Sequence, residues 1–306
     1  MSKPVDIVCV GEVLIDFIGH EMISLDKTKD FHRFLGGSPT NVAVNAARLG
    51  LNSVLVATSG SDGFGDYIHQ KLEMNQVQTA YMRKSLALPT SVIFVSRSTQ
   101  TPEFIPFREA DREIFEDQLP DALLEKAKIF HTTCFALSKD PARMTILNRA
   151  HKAKSLGLQM SIDINYSEKI WPNRYEAHQV LKDYLSTNPL VKVSEDDCLR
   201  LFGEVKTEQT IFEYFHQLGV STLCLTKGKD GVVVSDSQLG IFNQPAIPLK
   251  EVKDSTGAGD AFWTGFLFAR LQNKSMDESI ATAQKLASIK LQNVGRLPDN
   301  IRSLMN

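Results

Sequence analysis

Long apolar runs are missing from this 306-residue chain. No window approaches 18 consecutive apolar residues, which excludes a membrane-spanning helix at the level of sequence. An excess of either charge is missing as well: 34 lysines and arginines face 36 acidic residues, a formal charge of −2. No global field would then draw in nucleic acid or an anionic membrane, and a small-molecule partner is the default. Cysteine is scarce. Cys9, Cys134, Cys198 and Cys224 lie far apart in apolar surroundings with no Cys-x-x-Cys spacing. That argues against a zinc site or disulfide framework and for buried free thiols in a reducing compartment. The N-terminus runs straight into a strand-like segment without the charged-then-apolar profile of a secretory signal, so the expected location is the cytoplasm. Repeats, low-complexity tracts and linkers are also absent. So are two nucleotide fingerprints. The turn Gly11-Glu12-Val13-Leu14-Ile15-Asp16 lacks the Gly-x-Gly-x-x-Gly of a dinucleotide-binding dehydrogenase, and no Gly-x-x-x-x-Gly-Lys-[Ser/Thr] marks a P-loop.

What remains is an ordinary globular composition, 42% hydrophobic and 23% charged with 18 Gly and 12 Pro. Short apolar runs alternate with amphipathic stretches. Strands are predicted over 7–13, 53–58, 128–133, 158–163, 190–193 and 221–226; helices over 40–49, 64–74, 141–155, 174–185, 195–202 and 208–218. Strands apolar nearly throughout, joined by helices, imply a mainly parallel sheet covered on both faces. Two stretches break the rhythm. The pair 91–97 and 103–107 reads as a hairpin of a small β appendage, joined by 16–21 and 31–35; a second hairpin spans 231–235 and 239–242.

The strongest local signal is Asp254-Ser255-Thr256-Gly257-Ala258-Gly259-Asp260, followed by the apolar helix face Ala261, Phe262, Gly265, Phe266 and Ala269. It places a Gly-rich turn at a helix N-terminus, where unpaired N–H groups and the dipole attract anions. A lone Asp260 there would be only a helix-stabilising charge; two aspartates bracketing Gly-Ala-Gly ask for more. The second signal is Gly36-Gly37-Ser38-Pro39-Thr40-Asn41, two glycines that bare the backbone and an amide that offers donor and acceptor to hydroxyls. By itself it reads equally well as a loop and a polar first-turn residue. Thr226-Lys227-Gly228-Lys229-Asp230-Gly231 follows an apolar strand, and is either a nucleotide loop or a tight turn opening the next hairpin.

Together the two glycine-rich segments, in this order and roughly 220 residues apart, resemble the signature motifs of the ribokinase/PfkB family of carbohydrate kinases. The likeness runs from Gly11 and Asp16 to Gly295. It implies a single domain over 1–306 with a three-layer α/β/α sandwich and a β-sheet lid drawn from about 14–37 and 88–110. It also implies transfer of the γ-phosphoryl group of ATP to a hydroxyl of a small sugar or sugar acid. Asp260 would be the general base, with the N–H groups of Gly257, Ala258, Gly259 and Asp260 as an anion hole. Asp16, Gly36, Gly37 and Asn41 would hold sugar hydroxyls, with Asp163 and Arg108 further substrate positions. Thr226, Gly228, Gly231 and Gln284 would serve ATP. Asp254 and Thr256 would hold K⁺, and Asp197 would order water around Mg²⁺. A homodimer through the lid is common among such proteins.

Departures from the family pattern bear on detail. Ser194-Glu195-Asp196-Asp197 stands where many relatives have Asn-x-x-Glu, and the three acids are also ordinary helix N-terminal charge. In Asp163-Ile164-Asn165-Tyr166-Ser167, followed by Trp171, Ser167 replaces an arginine that in sugar-acid kinases pairs with the substrate carboxylate. Arg108 is either its substitute or a solvated lid residue. The resemblance favours a fructokinase-like activity, with 2-dehydro-3-deoxygluconokinase and 5-dehydro-2-deoxygluconokinase as alternatives and a non-catalytic sugar sensor as the rival of another class.

Overall fold

Eight strands form the central sheet of the computed structural model, which describes residues 3–98 and 102–305. Their order in space is Gly240–Gln244, Val232–Asp236, Thr222–Thr226, Leu190–Ser194, Gln159–Asp163, Ala127–Thr133, Val5–Val10 and Ser53–Val56. The last six run parallel; the first two form the antiparallel hairpin read between 231 and 242. Both faces are covered, as uninterrupted apolar strands require. Val8, Phe130, Ile162, Val191 and Leu223 point into one layer, closed by Ile146, Leu181, Leu201 and Phe215 of the helices Ala142–Ser155, Arg174–Leu185, Glu195–Phe202 and Glu208–Gln217. Ile7, Cys9 and Leu55 point into the other, closed by Val42, Ile68, Phe266 and Ile280 of the helices Ser38–Arg48, Gly63–Met74, Ala258–Leu271 and Met276–Leu291.

A separate four-stranded sheet is ordered Phe31–Gly36, Leu14–Gly19, Val92–Val95 and Phe104–Phe107. Its strands fall within 14–37 and 88–110; residues 99–101 of the hairpin separator lie outside the described residues. Two predicted strands were read too long. The run 7–13 breaks at Gly11, whose φ of +149° and close neighbours leave no room for a side chain: a Cβ there would stand 2.7 Å from Pro39 Cγ. The chain leaves the large sheet at this point and enters the small one. The run 53–58 breaks at Ala57, and Thr58–Gly60 pairs instead with Arg83–Ser85. All four cysteines are buried and free. Among the described residues no helix is long and apolar enough to cross a membrane.

Candidate active site

The six parallel strands end on one side of the sheet, where open α/β sheets hold their ligands. There Gly257, in the left-handed conformation (φ +75°), turns the chain into the helix Ala258–Leu271. Of the four N–H groups expected to form an anion hole, that of Ala258 donates to the Ser255 carbonyl at 3.1 Å. Those of Gly259 and Asp260 stand in the first turn, where a helix supplies no acceptor. The Asp260 side chain is buried in this turn. Its Oδ1 accepts the Ser38 hydroxyl at 2.6 Å and its Oδ2 accepts the Asn41 amide at 2.8 Å. Two motifs at opposite ends of the chain thus meet on one carboxylate. Burial raises its pKa; the Ser38 and Asn41 hydrogen bonds and the charges of Lys192 and Lys290 work against that rise.

Asp16, carried by the small sheet, shares a cavity of about 260 Å³ with Gly37, Ser38, Asn41, Gly257 and Asp260. Its carboxylate accepts no hydrogen bond among the described residues. Burial first, then the charges of Asp260 and Asp254, push its pKa up to about 7. The glycines opposite are there for space: a Cβ on Gly36 would fall 2.4 Å from the Asp16 carboxylate, and one on Gly37 (φ +100°) 2.2 Å from the Glu12 carbonyl. Glu12 fixes the floor, accepting the Ser38 N–H at 3.1 Å and the Thr133 hydroxyl at 2.9 Å. Phe104, Phe135 and Ile170 supply the apolar wall. A second chamber of about 270 Å³ adjoins the first through Asp16, Asn41, Thr256 and Gly257, and is lined by Arg33, Arg48, Lys71, Lys290 and Arg296.

Other expected site residues lie elsewhere or are already engaged. Arg108 is not solvated: its guanidinium is 5% exposed, bound to Asp111 at 2.9 and 2.5 Å and to the Ser138 hydroxyl, with Phe135 against its face. Asp163 does not line the cavity; both its oxygens accept Lys192 Nζ at 3.0 Å. Asp197 lines the cavity, but its Oδ2 closes a capping box on Ser194, accepting N–H at 3.0 Å and the hydroxyl at 2.6 Å. Thr226, Gly228 and Gly231 form the end of the strand Thr222–Thr226 and the turn after it, outside both cavities. The Gln284 amide donates to the carbonyls of Gln244 and Pro245 at 3.2 and 3.0 Å. Thr256 lines both cavities. Asp254, fully buried, accepts the Thr256 and Gly295 N–H groups at 3.0 Å each and Lys290 Nζ at 3.2 Å.

Sequence reasoning missed three participants. Ser38 lay in plain view inside a quoted motif. Lys192 sits in the strand Leu190–Ser194, and the place of a Cβ on Gly259 is 2.9 Å from its ammonium. Burial works against its charge, but Asp163, Asp197 and Asp260 outweigh it and raise its pKa. A charge inside the run Leu190-Val191-Lys192-Val193 was the available signal, since a buried lysine needs a partner. Lys290, on the helix Met276–Leu291, gave no such signal.

Known proteins resemble this chain over nearly its whole length. The profile described as pfkB family carbohydrate kinase matches residues 5–300. The chain is 34% identical to an ATP-dependent 6-phosphofructokinase of Thermoanaerobacterium thermosaccharolyticum, over 97% of this chain and 91% of that one. It is 30% identical to probable fructokinase-7 of Arabidopsis thaliana, over 95% and 88%. The solved fructokinase of Halothermothrix orenii superposes with a TM-score of 0.81 at 35% identity, covering 92% of this chain and 98% of that one.

Proposed function

With the chain belonging to the pfkB family of carbohydrate kinases, and so an ATP-dependent sugar kinase of the fructokinase-like kind, we propose that Asp260 is the base that activates the acceptor hydroxyl. The observation that carries this is the Asp260 carboxylate itself: buried, held by Ser38 and Asn41, and placed in the first turn of a helix beside Asp16. Asp260 takes the hydroxyl proton, the freed oxygen bonds to the γ-phosphorus, and the bond from that phosphorus to the β,γ-bridging oxygen breaks to release ADP. The N–H groups of Gly259 and Asp260, with the helix dipole, answer the charge on the transferring group. Asp16 and Asn41 orient the sugar against Gly36 and Gly37. Thr226, Gly228, Gly231 and Gln284 stand on the neighbouring strand ends and are our candidates for the nucleotide side.

Among the described residues no cluster of three acids, cysteines or histidines could hold a resident metal. Asp197, one of the acids lining the cavity, would meet the water shell of a Mg²⁺ ion carried by ATP, which would withdraw charge from the phosphates. The monovalent ion expected at Asp254 and Thr256 does not fit, because an ammonium already occupies the Asp254 carboxylate. We read the chain as one kinase domain with the small sheet as its lid, and its four buried free thiols support a cytoplasmic setting. A homodimer through the outer face of that sheet is supported by its Phe17, Phe31, Phe94 and Phe107 rings, which meet edge-on or stacked with Phe107 55% exposed.

For the acceptor, fructose is the first reading and fructose 6-phosphate the second. The second is favoured by one observation: Arg33 and Lys71 in the adjoining chamber have no acidic partner among the described residues. ADP release with ATP·Mg²⁺ and either sugar decides between them. In the same assay Asp260→Asn should keep ATP affinity and lose about three orders of magnitude in turnover. Near-normal turnover would remove Asp260 from the mechanism.

A further inference from the structure

Lys290 is buried where no apolar packing explains an ammonium. Its side chain is 4% exposed. Nζ stands 3.2 Å from Asp254 Oδ2 and 3.1 Å from the Asn293 carbonyl oxygen. The lysine stem lies under the glycine-rich turn: Cε is 3.6 Å from the place of a Cβ on Gly257. Asp254 is fully buried, and besides the ammonium it accepts the Thr256 and Gly295 N–H groups. These contacts tie the approach to the turn, its lysine and the Gly295 loop into one unit. Lys290 also lines the chamber that holds Asn41, Thr256 and Gly257.

An ammonium and a potassium ion carry the same charge and are of similar size, and both seek oxygen ligands. Here the carboxylate and a carbonyl that could ligate an alkali ion already surround a nitrogen delivered by the chain. A second monocation at the same carboxylate would face that ammonium at hydrogen-bond range, in a site that water does not screen. The geometry points to Lys290 as the resident monovalent cation of the anion-binding turn, so that this enzyme needs no K⁺ where its family resemblance implied one. Lys290 is a positioning residue in this scheme. It neutralises Asp254 and sets the turn that carries Gly257, Gly259 and Asp260, without touching the transferred group.

The inference rests on the kinase reading for its turnover arm only. Wild-type turnover should agree within about twofold in K⁺, Na⁺ and choline salts of equal ionic strength, and the melting temperature should be the same in K⁺ and choline. Lys290→Ala should lose about a hundredfold or more of kcat in choline and recover at least about tenfold with K⁺, ammonium or methylammonium, with melting temperature rising in parallel. Lys290→Met, which keeps the stem and fills the space, should be poorly active in every salt. Wild-type turnover about tenfold or more higher in K⁺ than in choline would overturn the assignment. So would a melting temperature raised by K⁺, or a folded Lys290→Ala enzyme indifferent to all three rescuing cations. The melting arm needs no turnover; absent ADP release with an unchanged melting result would instead refute the kinase reading.

Discussion

Replacing Asp16 by asparagine separates what an acid costs the fold from what it gives the reaction. Burial, followed by the charges of Asp260 and Asp254, lifts this carboxyl from 3.8 to about 7 in the folded chain. The native state therefore binds the proton more tightly than the unfolded state. The acid is nearly neutral to stability below about pH 4; its cost grows as pH rises toward 7 and levels off above about pH 8. A rise of about three units at about 1.4 kcal/mol each sets a ceiling of about 4 kcal/mol. Asp16 faces a cavity open to water, and screening there brings the expected figure to about 2 kcal/mol. Asp16→Asn should accordingly unfold a few degrees higher than wild type at about pH 8, and more than half of that advantage should vanish at about pH 4. Sugar affinity should fall in the same variant, because an amide cannot accept two hydroxyl hydrogen bonds on equal terms. Thermal unfolding at the two pH values, followed by sugar titration, reads both effects. An equal or lower melting temperature at pH 8, or an offset that ignores pH, would refute the reasoning.

Two other outcomes rest on local geometry. Gly36→Ala places a methyl 2.4 Å from the Asp16 carboxylate, whose side chain can rotate away; the fold should survive while KM for the sugar rises about tenfold to a hundredfold and KM for ATP holds, the scale of a lost charged hydrogen bond. Unchanged sugar KM would count against Asp16 as a ligand. Phe107→Asp, on the exposed face of the small sheet, should turn a dimer into a monomer in sedimentation; identical profiles would take the interface away from that face.

Local pattern carried most of the fold, because each strand and helix states its period within a few residues. The helix over 174–185 and the one over 195–202 lie where predicted. What could not be read were the places where distant segments decide. Gly11 sits in a stretch whose apolar residues resume after Glu12 and run to Ile15, and Pro39 and Ala136, packed against it from elsewhere, force the chain out of the sheet. The same holds for the site. Asp260 and the glycine-rich segments announced themselves by composition. The partners that hold them, Ser38 with Asp260, Lys192 with Asp163 and Lys290 with Asp254, lie 222, 29 and 36 residues apart. Lys192 at least betrays itself by interrupting an apolar run, whereas Lys290 looks like any surface lysine. Arg108 was open in sequence between a substrate contact and a solvated lid residue; Asp111, Phe135 and Ser138 bury and engage it instead.

The departure of the chain at Gly11 has an electrostatic result. It mounts Asp16 on the small sheet, while Asp260 stands in the helix Ala258–Leu271 that covers the large one, so the repulsion between the two acids also acts between the small sheet and that helix. An empty enzyme that shut would press like charges together, while a polyol seated between them gives each a proton to accept. Closure without an acceptor should therefore be disfavoured, and with it the loss of the γ-phosphoryl group of ATP to water. Asp16→Asn should accordingly idle faster than wild type through ATP in the absence of any sugar, and an unchanged idling rate would disprove the repulsion argument.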